Sequence, residues 1–290
     1  MSAETLAWTL ASTFFAGVAL FLQKVVAEER RSSAFNGLVS YGTSGGVALL
    51  LAFSLSRVPE HWQAMVLLGL AAGAAHGLGN FLRIESLKYI DSVIFFPLHK
   101  IIGPLLVVIG GIAFFHDDLR IWQYIGVTLS LTVPLLLISS AERLRQSNLM
   151  RGLQFMAYSS FLSAAAVLFS KQGLLYPGAV ILVLITSQFA GTLASALILV
   201  RTHGLGSAMV SHADRRDVWL GIWSGVISFV SSYCLFRAIA TGFVSLVYVI
   251  QAHYILIPII LSVWWYKDHI DIRKFAAVVV SFLAITLLAL

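Results

Sequence analysis

The chain has 290 residues, of which 59% are apolar and only 11% are Asp, Glu, Lys or Arg, and its mean hydropathy is +0.90. Soluble domains average about 45–50% apolar and about 25% charged residues, so this composition excludes a water-soluble globular protein. The net charge of +6 comes mainly from bases in short loops between apolar segments, which indicates orientation in a membrane rather than nucleic-acid binding. We therefore expect a multi-pass integral membrane protein that contacts the lipid bilayer and no nucleic acid. A bacterial inner (plasma) membrane is the expected location, although composition does not itself identify the membrane.

Apolar runs long enough to cross a bilayer, which takes about 20 residues, follow one another along the whole chain. The first five predicted helices cover residues 6–26, 34–56, 64–84, 92–115 and 121–139. A polar linker follows at 140–151, and five more helices cover residues 152–170, 178–200, 218–241, 243–266 and 275–290. The runs are continuously apolar rather than alternating, which favours helices over barrel strands. The sequence thus predicts an all-α membrane protein with ten transmembrane helices.

The two groups of five helices share internal matches that occur in the same order. The matched positions are Ser12 with Ser159, Lys24 with Lys171, Gly69 with Gly221, Gly73 with Gly225 and Asp117 with Asp268. An odd number of helices in each group makes the second group cross the membrane in the opposite direction. Residues 1–139 and 152–290 are therefore predicted to be inverted five-helix repeats. Inverted repeats are typical of secondary transporters, whose substrate site lies near the midplane where the repeats meet.

A family resemblance rests on this duplication and on three local features. These are the Lys after the first helix of each half, the stretch at 85–92 that leads into a helix holding Pro104, and the short acidic turn at 116–119. On these features the chain resembles the drug/metabolite transporter (DMT) superfamily, of the EamA type, over nearly its whole length. The resemblance implies a carrier that exports or exchanges a small metabolite by alternating access, through a cavity lined mainly by the first, third, fourth, sixth, eighth and ninth helices.

The orientation of the termini stays open because two arguments disagree. The loops that follow odd-numbered helices, counted together with the adjoining helix ends, hold 14 Lys and Arg residues, against 4 for the loops that follow even-numbered helices. The positive-inside rule then predicts that both termini lie outside the cytoplasm. The family resemblance implies that both termini are cytoplasmic.

Lys100 is the basic residue deepest inside a predicted helix, eight residues past Ser92 and therefore about 12 Å along that helix. A charge at the bilayer centre costs about 2.5–3.5 kcal/mol on insertion scales, so such a residue is a functional candidate by default. His99 precedes Lys100, and Pro97 and Pro104 flank it. We expect Lys100 to face the cavity and to bind a carboxylate or phosphate. The alternative is a side chain that snorkels to the membrane surface.

Polar residues on other helices complete the predicted site. Gln251 occupies the repeat position equivalent to Lys100, and Tyr254 follows on the same helical face. His76 and Asn80 form a polar stripe on the third helix, and Arg83, near the end of that helix, is predicted to be an interfacial base. The predicted substrate-binding residues are Lys100, Gln251, His76, Asn80, Tyr254, His99, Ser232 and Tyr158.

His253 is the candidate group for coupling transport to a proton, because an imidazole titrates near neutral pH. The alternative for His253 is a structural hydrogen bond between helices. The expected partners are a small-molecule substrate, such as an amino acid or organic anion, and either a coupling proton or a counter-substrate. We expect no cofactor and no metal.

The sequence also offers two alternatives to a carrier. The string Gly42-Thr43-Ser44-Gly45 fits the Gly-x-Ser-Gly pattern of rhomboid-type intramembrane proteases, in which Ser44 would be the nucleophile and a histidine the base. A four-residue match in a membrane protein rich in Gly and Ser has little specificity, so we expect a carrier and not an enzyme. A flippase for a phosphate-headed lipid would use Lys100 as a carrier of soluble anions does, and this alternative stays open.

Overall fold

The computed structural model of the protein describes residues 1–29, 33–53, 59–87, 89–90, 92–137, 149–203, 214–266 and 272–290. The described α-helices are α1 (Ala3–Glu28), α2 (Ser33–Ala52), α3 (Trp62–Leu87), α4 (Ser92–Phe115), α5 (Ile121–Leu136), α6 (Leu149–Leu174), α7 (Ala179–His203), α8 (Arg215–Thr241), α9 (Val244–Ala252), α10 (Leu256–Tyr266) and α11 (Ile272–Ala289). These residues contain no strand, so the all-α prediction is confirmed. The predicted match between Asp117 and Asp268 lies partly outside the described residues, because Asp268 is not among them.

Most of the described helices have the length and composition of membrane spans. Eight helical stretches qualify, and they belong to α1, α3, α4, α6, α7, α8, α11 and the combined α9 and α10. The apolar helix α5 is shorter, with 16 residues, and α2 is rich in Gly and Ser. The chain is therefore an integral membrane protein by the length and apolar character of its helices.

The predicted ninth helix, at 243–266, is split into α9 and α10 by a 3-10 turn at His253–Ile255. Pro258 explains the split, because a proline has no N–H to bond the carbonyl four residues earlier and its ring clashes with that carbonyl. The carbonyl concerned is that of Tyr254, inside the turn. A 3-10 stretch within a long helix often marks a functional hinge. Gln251 lies near the end of α9, and Tyr254 lies within the turn.

Two helix pairs lie in backbone contact because glycine removes the side chain between them. A Cβ atom added at Gly73 of α3 would lie 2.2 Å from the backbone oxygen of Ser187 in α7. A Cβ atom added at Gly225 of α8 would lie 2.5 Å from the backbone oxygen of Ser40 in α2. Small residues allow this close approach in membrane helices. The pairs α3–α7 and α2–α8 are thus held closer together than side chains would permit.

Candidate functional site

The polar stripe of α3 lies on the inner side of that helix. Leu67 and Leu78 are 68% and 50% exposed and mark the outer side of α3. Because a helix turns about 100° per residue, His76, Asn80 and Arg83 lie on the opposite side. His76 is nevertheless exposed, so there is open space on the inner side of α3.

Contacts within this stripe fix the orientation of its polar groups. Nη2 of Arg83 donates a hydrogen bond to Oδ1 of Asn80. The ring of His76 meets the ring of Tyr41 in α2 edge-on, with 6.1 Å between the centroids. Arg83 therefore points along the inner side of α3 toward Asn80, and its predicted interfacial position stays a prediction.

Lys100 extends from α4 to the turn that separates α9 from α10. Its ammonium donates a hydrogen bond to the hydroxyl of Tyr254, and Nζ lies 4.1 Å from the centroid of the Tyr254 ring. A cation close to the face of an aromatic ring is attracted by the electrons of that ring. The structure thus brings together two of the predicted site residues, one from each half of the chain.

The charges of Arg83 and Lys100 act on the same neighbours. Both charges influence His76, His99 and Tyr254. In the described part of the chain no carboxylate pairs with Arg83 or Lys100, whereas Arg216 pairs with Glu29 at 2.5 Å. Their hydrogen-bond partners are the neutral groups of Asn80 and Tyr254. The region between α3, α4 and the turn at His253–Ile255 is therefore positively charged.

His99 contacts α6 and holds α4 against it. Nδ1 of His99 lies 2.7 Å from Oγ of Ser160, and the His99 ring stacks on Phe95 with 5.3 Å between the centroids. His99 is buried, with 7% of its surface exposed. Lys100 is the next residue and is turned about 100° around the helix, which directs it to Tyr254 instead.

The structure places Gln251 at a different contact from Lys100. Nε2 of Gln251 donates to Oγ of Ser12 at 3.3 Å, and the hydroxyl of Ser231 in α8 donates to the backbone oxygen of Ser12 at 3.0 Å. Gln251 therefore joins α9 to α1. Ser232, next to Ser231, is half-buried on the side of α8 opposite the exposed Trp219.

Tyr158 lies on the exposed side of α6 and not with the other predicted site residues. It is 63% exposed, and its neighbour Phe161 is 60% exposed. Ser159 and Ser160 occupy the buried side, where they bond the backbone of α3 and the ring of His99. An aromatic residue with a hydroxyl suits either the interior or the bilayer, so the sequence alone does not distinguish the two positions.

His253 bonds within its own helical turn. Its Nδ1 lies 3.1 Å from the backbone oxygens of both Val249 and Ile250. Carbonyl oxygens only accept, so Nδ1 carries the proton, and Nε2 is buried with no hydrogen-bond partner. The coupling role of His253 stays a prediction. The hydroxyl of Ser44 is also buried without a hydrogen-bond partner, so no histidine base contacts it in the described residues.

A second group of charges lies at the opposite membrane face, where α4, α6 and α8 end. Oδ2 of Asp117 accepts the backbone N–H of Ser245 at 2.9 Å, at the start of α9. Nζ of Lys171 donates to the backbone oxygens of Ile239 and Gly242 at 2.8 and 3.0 Å, at the end of α8. Carboxylates stabilise helix N-termini and ammonium groups stabilise helix C-termini. From the sequence, Asp117 and Lys171 are predicted only to be matched repeat positions. A charged residue next to a helix end is the sequence signal that could have indicated this capping.

The capped helix ends border a cavity. Its volume is about 640 Å³, and its lining includes Asp117, Lys171, Thr5 and Thr241. Since α4 runs from the face nearest Lys100 to this turn, the cavity and the Arg83–Lys100 region lie toward opposite faces of the protein.

Comparisons with known proteins establish the fold. No family model matches the chain, and no curated protein matches it. A solved crystal structure of another protein matches 100% of this chain and 99% of its own, with a TM-score of 0.78 and 17% sequence identity. Similarity at this level of identity shows a shared fold and nothing about substrate. The whole chain therefore has a fold that another protein of known structure also adopts.

Proposed function

We propose that this protein is a secondary active transporter that moves a small organic anion across the membrane by alternating access. The observation that carries the proposal is the pair of cations Arg83 and Lys100, which bond the neutral groups of Asn80 and Tyr254 and have no carboxylate partner in the described residues. Charges inside a membrane protein are costly and commonly mark substrate or ion pathways. A bound anion offsets this positive charge.

The helix contacts support an inverted repeat of five plus five helices. Exchanging the halves replaces α1, α2 and α3 by α6, α7 and α8, and α5 by α11. Under this exchange the contact of α3 with α6 becomes that of α8 with α1, and the contact of α3 with α7 becomes that of α8 with α2; all four occur. The contacts of α2 with α7 and of α5 with α11 map onto themselves and also occur. This arrangement favours a transporter of the DMT superfamily, EamA type, with its site between the halves.

One hydrogen bond repeats at equivalent positions in the two halves. The hydroxyl of Ser159 in α6 donates to the backbone oxygen of Gly79 in α3 at 2.7 Å. The equivalent positions are Ser12 in α1 and Ser231 in α8, where the Ser231 hydroxyl donates to the backbone oxygen of Ser12 at 3.0 Å. The same two helix faces therefore meet in both halves, with donor and acceptor reversed.

The site suggests how binding is linked to movement. Arg83 and Lys100 belong to the first half, whereas Tyr254 belongs to the second. An anion held by the two cations and by the Tyr254 hydroxyl contacts both halves at once. A ligand changes a conformational equilibrium only through contacts that differ between the two states. Contacts to both halves supply that difference, because they are lost when the halves separate at the site.

Transport by purified protein in liposomes tests the proposal. We expect uptake or exchange of labelled organic anions, and at least a tenfold loss of uptake in Lys100→Gln, since a hydrogen bond to a charged group contributes about 1.5–3 kcal/mol. Arg201→Gln is the matched control, because Arg201 is exposed near the end of α7. Lys100→Arg, which keeps the charge, should retain more uptake than Lys100→Gln. Transport of cations alone, or unchanged anion uptake in Lys100→Gln, would show that the proposal is wrong.

A further inference from the structure

We propose that the substrate carries two negative charges on one small molecule, as a dicarboxylate or a phosphate monoester does. This inference rests on the proposed transport function and specifies the substrate class of the same site. It depends on the number of cations, on the direction of the hydrogen bonds and on the depth of the two charges.

The polar groups of the site present hydrogen-bond donors. Asn80 accepts from Arg83 through Oδ1, which leaves its amide N–H groups as donors. Arg83 uses one N–H in this bond and retains others. The Tyr254 hydroxyl accepts from Lys100, so its own hydrogen remains to be donated, and the Lys100 ammonium retains two N–H groups. A ligand that only accepts, such as a carboxylate or phosphate, matches this set.

The two cations lie at depths that one small molecule can span. Arg83 is four residues before the end of α3 at Leu87, and Lys100 is eight residues after the start of α4 at Ser92. The end of α3 and the start of α4 share one membrane face because the two helices are consecutive. At 1.5 Å per residue the two Cα atoms lie about 6 Å and about 12 Å from that face. Both charges lie within electrostatic reach of His76 and Tyr254, which is consistent with a single site.

Charge matching separates the ligand classes. A dianion compensates both cations, whereas a monoanion leaves one of them uncompensated. The ammonium of a zwitterion such as an amino acid would face two cations, and in the described part of the chain it would find no carboxylate paired with the site. Like charges placed together across a binding site cost several kcal/mol and exclude wrong partners.

Binding of matched probes to the purified protein tests the inference. The first set compares three molecules that have four carbons and different charges: succinate, butyrate and 4-aminobutyrate. Longer dicarboxylates, of up to eight carbons, are then added to this set. The second set compares methyl phosphate, which carries about −1.5 to −2 at pH 7, with dimethyl phosphate. We expect each dianion that binds to bind about tenfold or more tightly than its matched monoanion and zwitterion.

Variants at Arg83 separate the substrate class from the proposed function. Arg83→Gln should remove the advantage of the dianion over the monoanion, and Arg83→Lys should restore it; thermal unfolding identifies any variant that fails to fold. If the unmodified protein binds the monoanion or the zwitterion as tightly as the dianion, or more tightly, the inference that the substrate is a dianion is wrong. The proposal of anion transport is not refuted by that result. Binding of no anion of either charge overturns both.

A further binding measurement with a lipid distinguishes a soluble phosphate monoester from a lipid headgroup that carries the same group. Short-chain phosphatidic acid also carries a phosphate monoester. If it binds and the soluble dianions do not, the charge class is supported and a lipid headgroup replaces the soluble metabolite. If the soluble dianions bind alone, the substrate is a free metabolite.

Discussion

Asp117 accepts a hydrogen bond from the backbone N–H of Ser245 at 2.9 Å, so a side chain of the turn between α4 and α5 caps the start of α9. Asp117 is 4% exposed, and it also interacts electrostatically with Lys171, which binds the end of α8. One turn thereby organises both sides of the α8–α9 connection. The contact joins the first half of the chain to the second at the face opposite Arg83 and Lys100.

Replacement of Asp117 by Ala should lower the free energy of unfolding by about 1–2 kcal/mol, the usual effect of losing a helix N-cap. The measurement is thermal unfolding of the purified protein in detergent. Asp118→Ala is the matched control, because Asp118 is the neighbouring carboxylate and is exposed. An equal loss of stability in both variants would contradict the capping role.

Replacement of Lys171 by Met should destabilise the protein by about 1.5–3 kcal/mol, since the ammonium bonds two backbone oxygens and is 8% exposed. Methionine keeps most of the length of the side chain, so the change mainly removes the hydrogen bonds. Chemical or thermal unfolding measures the effect. Gln172→Met, at the adjacent exposed position, should change stability little. A Lys171→Met protein as stable as the unmodified one would refute the role of this contact.

Replacement of Tyr254 by Phe should weaken anion binding about fivefold, because it removes one hydroxyl and leaves the ring beneath Lys100. Binding of a labelled anion to the purified protein measures this change. Tyr158→Phe removes the same hydroxyl from the exposed side of α6 and should leave binding unchanged. If Tyr158→Phe weakens binding as much as Tyr254→Phe does, the site has been placed on the wrong side of α6.

Replacement of Gly73 by Ala should destabilise the protein by about 1–3 kcal/mol, the usual cost of overpacking, because the new methyl group would meet the backbone of α7. Gly46→Ala provides the control, since no atom lies within 4 Å of a Cβ added there. That change should be neutral or should stabilise α2 by about 0.4–1 kcal/mol through a smaller loss of chain entropy. The order of the two melting temperatures checks the prediction.

The sequence predicts the helices well because apolar runs and charged loops are local features. It also identifies Lys100, since a charge inside an apolar run is visible without any knowledge of packing. The hydrogen bond of Arg83 to Asn80 was harder to predict, because the short distance of Arg83 from the helix end indicates an interfacial base and does not show which side chain it contacts. Gln251 and Tyr158 show the same difficulty, because the side of a helix that faces the site depends on its neighbours.

The turn at His253–Ile255 follows from a residue that the sequence does show. Pro258 indicates a disturbed helix, yet α4 contains Pro97 and Pro104 and is not interrupted. A proline therefore indicates where a helix can break, and the surrounding contacts decide whether it does. Tyr254 lies in this turn and contacts Lys100, whereas Gln251, just before the turn, contacts Ser12.

The backbone contact between α3 and α7 at Gly73 makes these two helices one mechanical unit. Because no layer of side chains separates them at Gly73, we expect a displacement of α7 to displace α3 as well. The outer surface of α7 carries Phe189, Leu193 and Leu197, which are 63%, 52% and 62% exposed. A change in bilayer thickness or lateral pressure that tilts α7 is therefore expected to tilt α3 as well, and with it His76, Asn80 and Arg83, which belong to the proposed anion site.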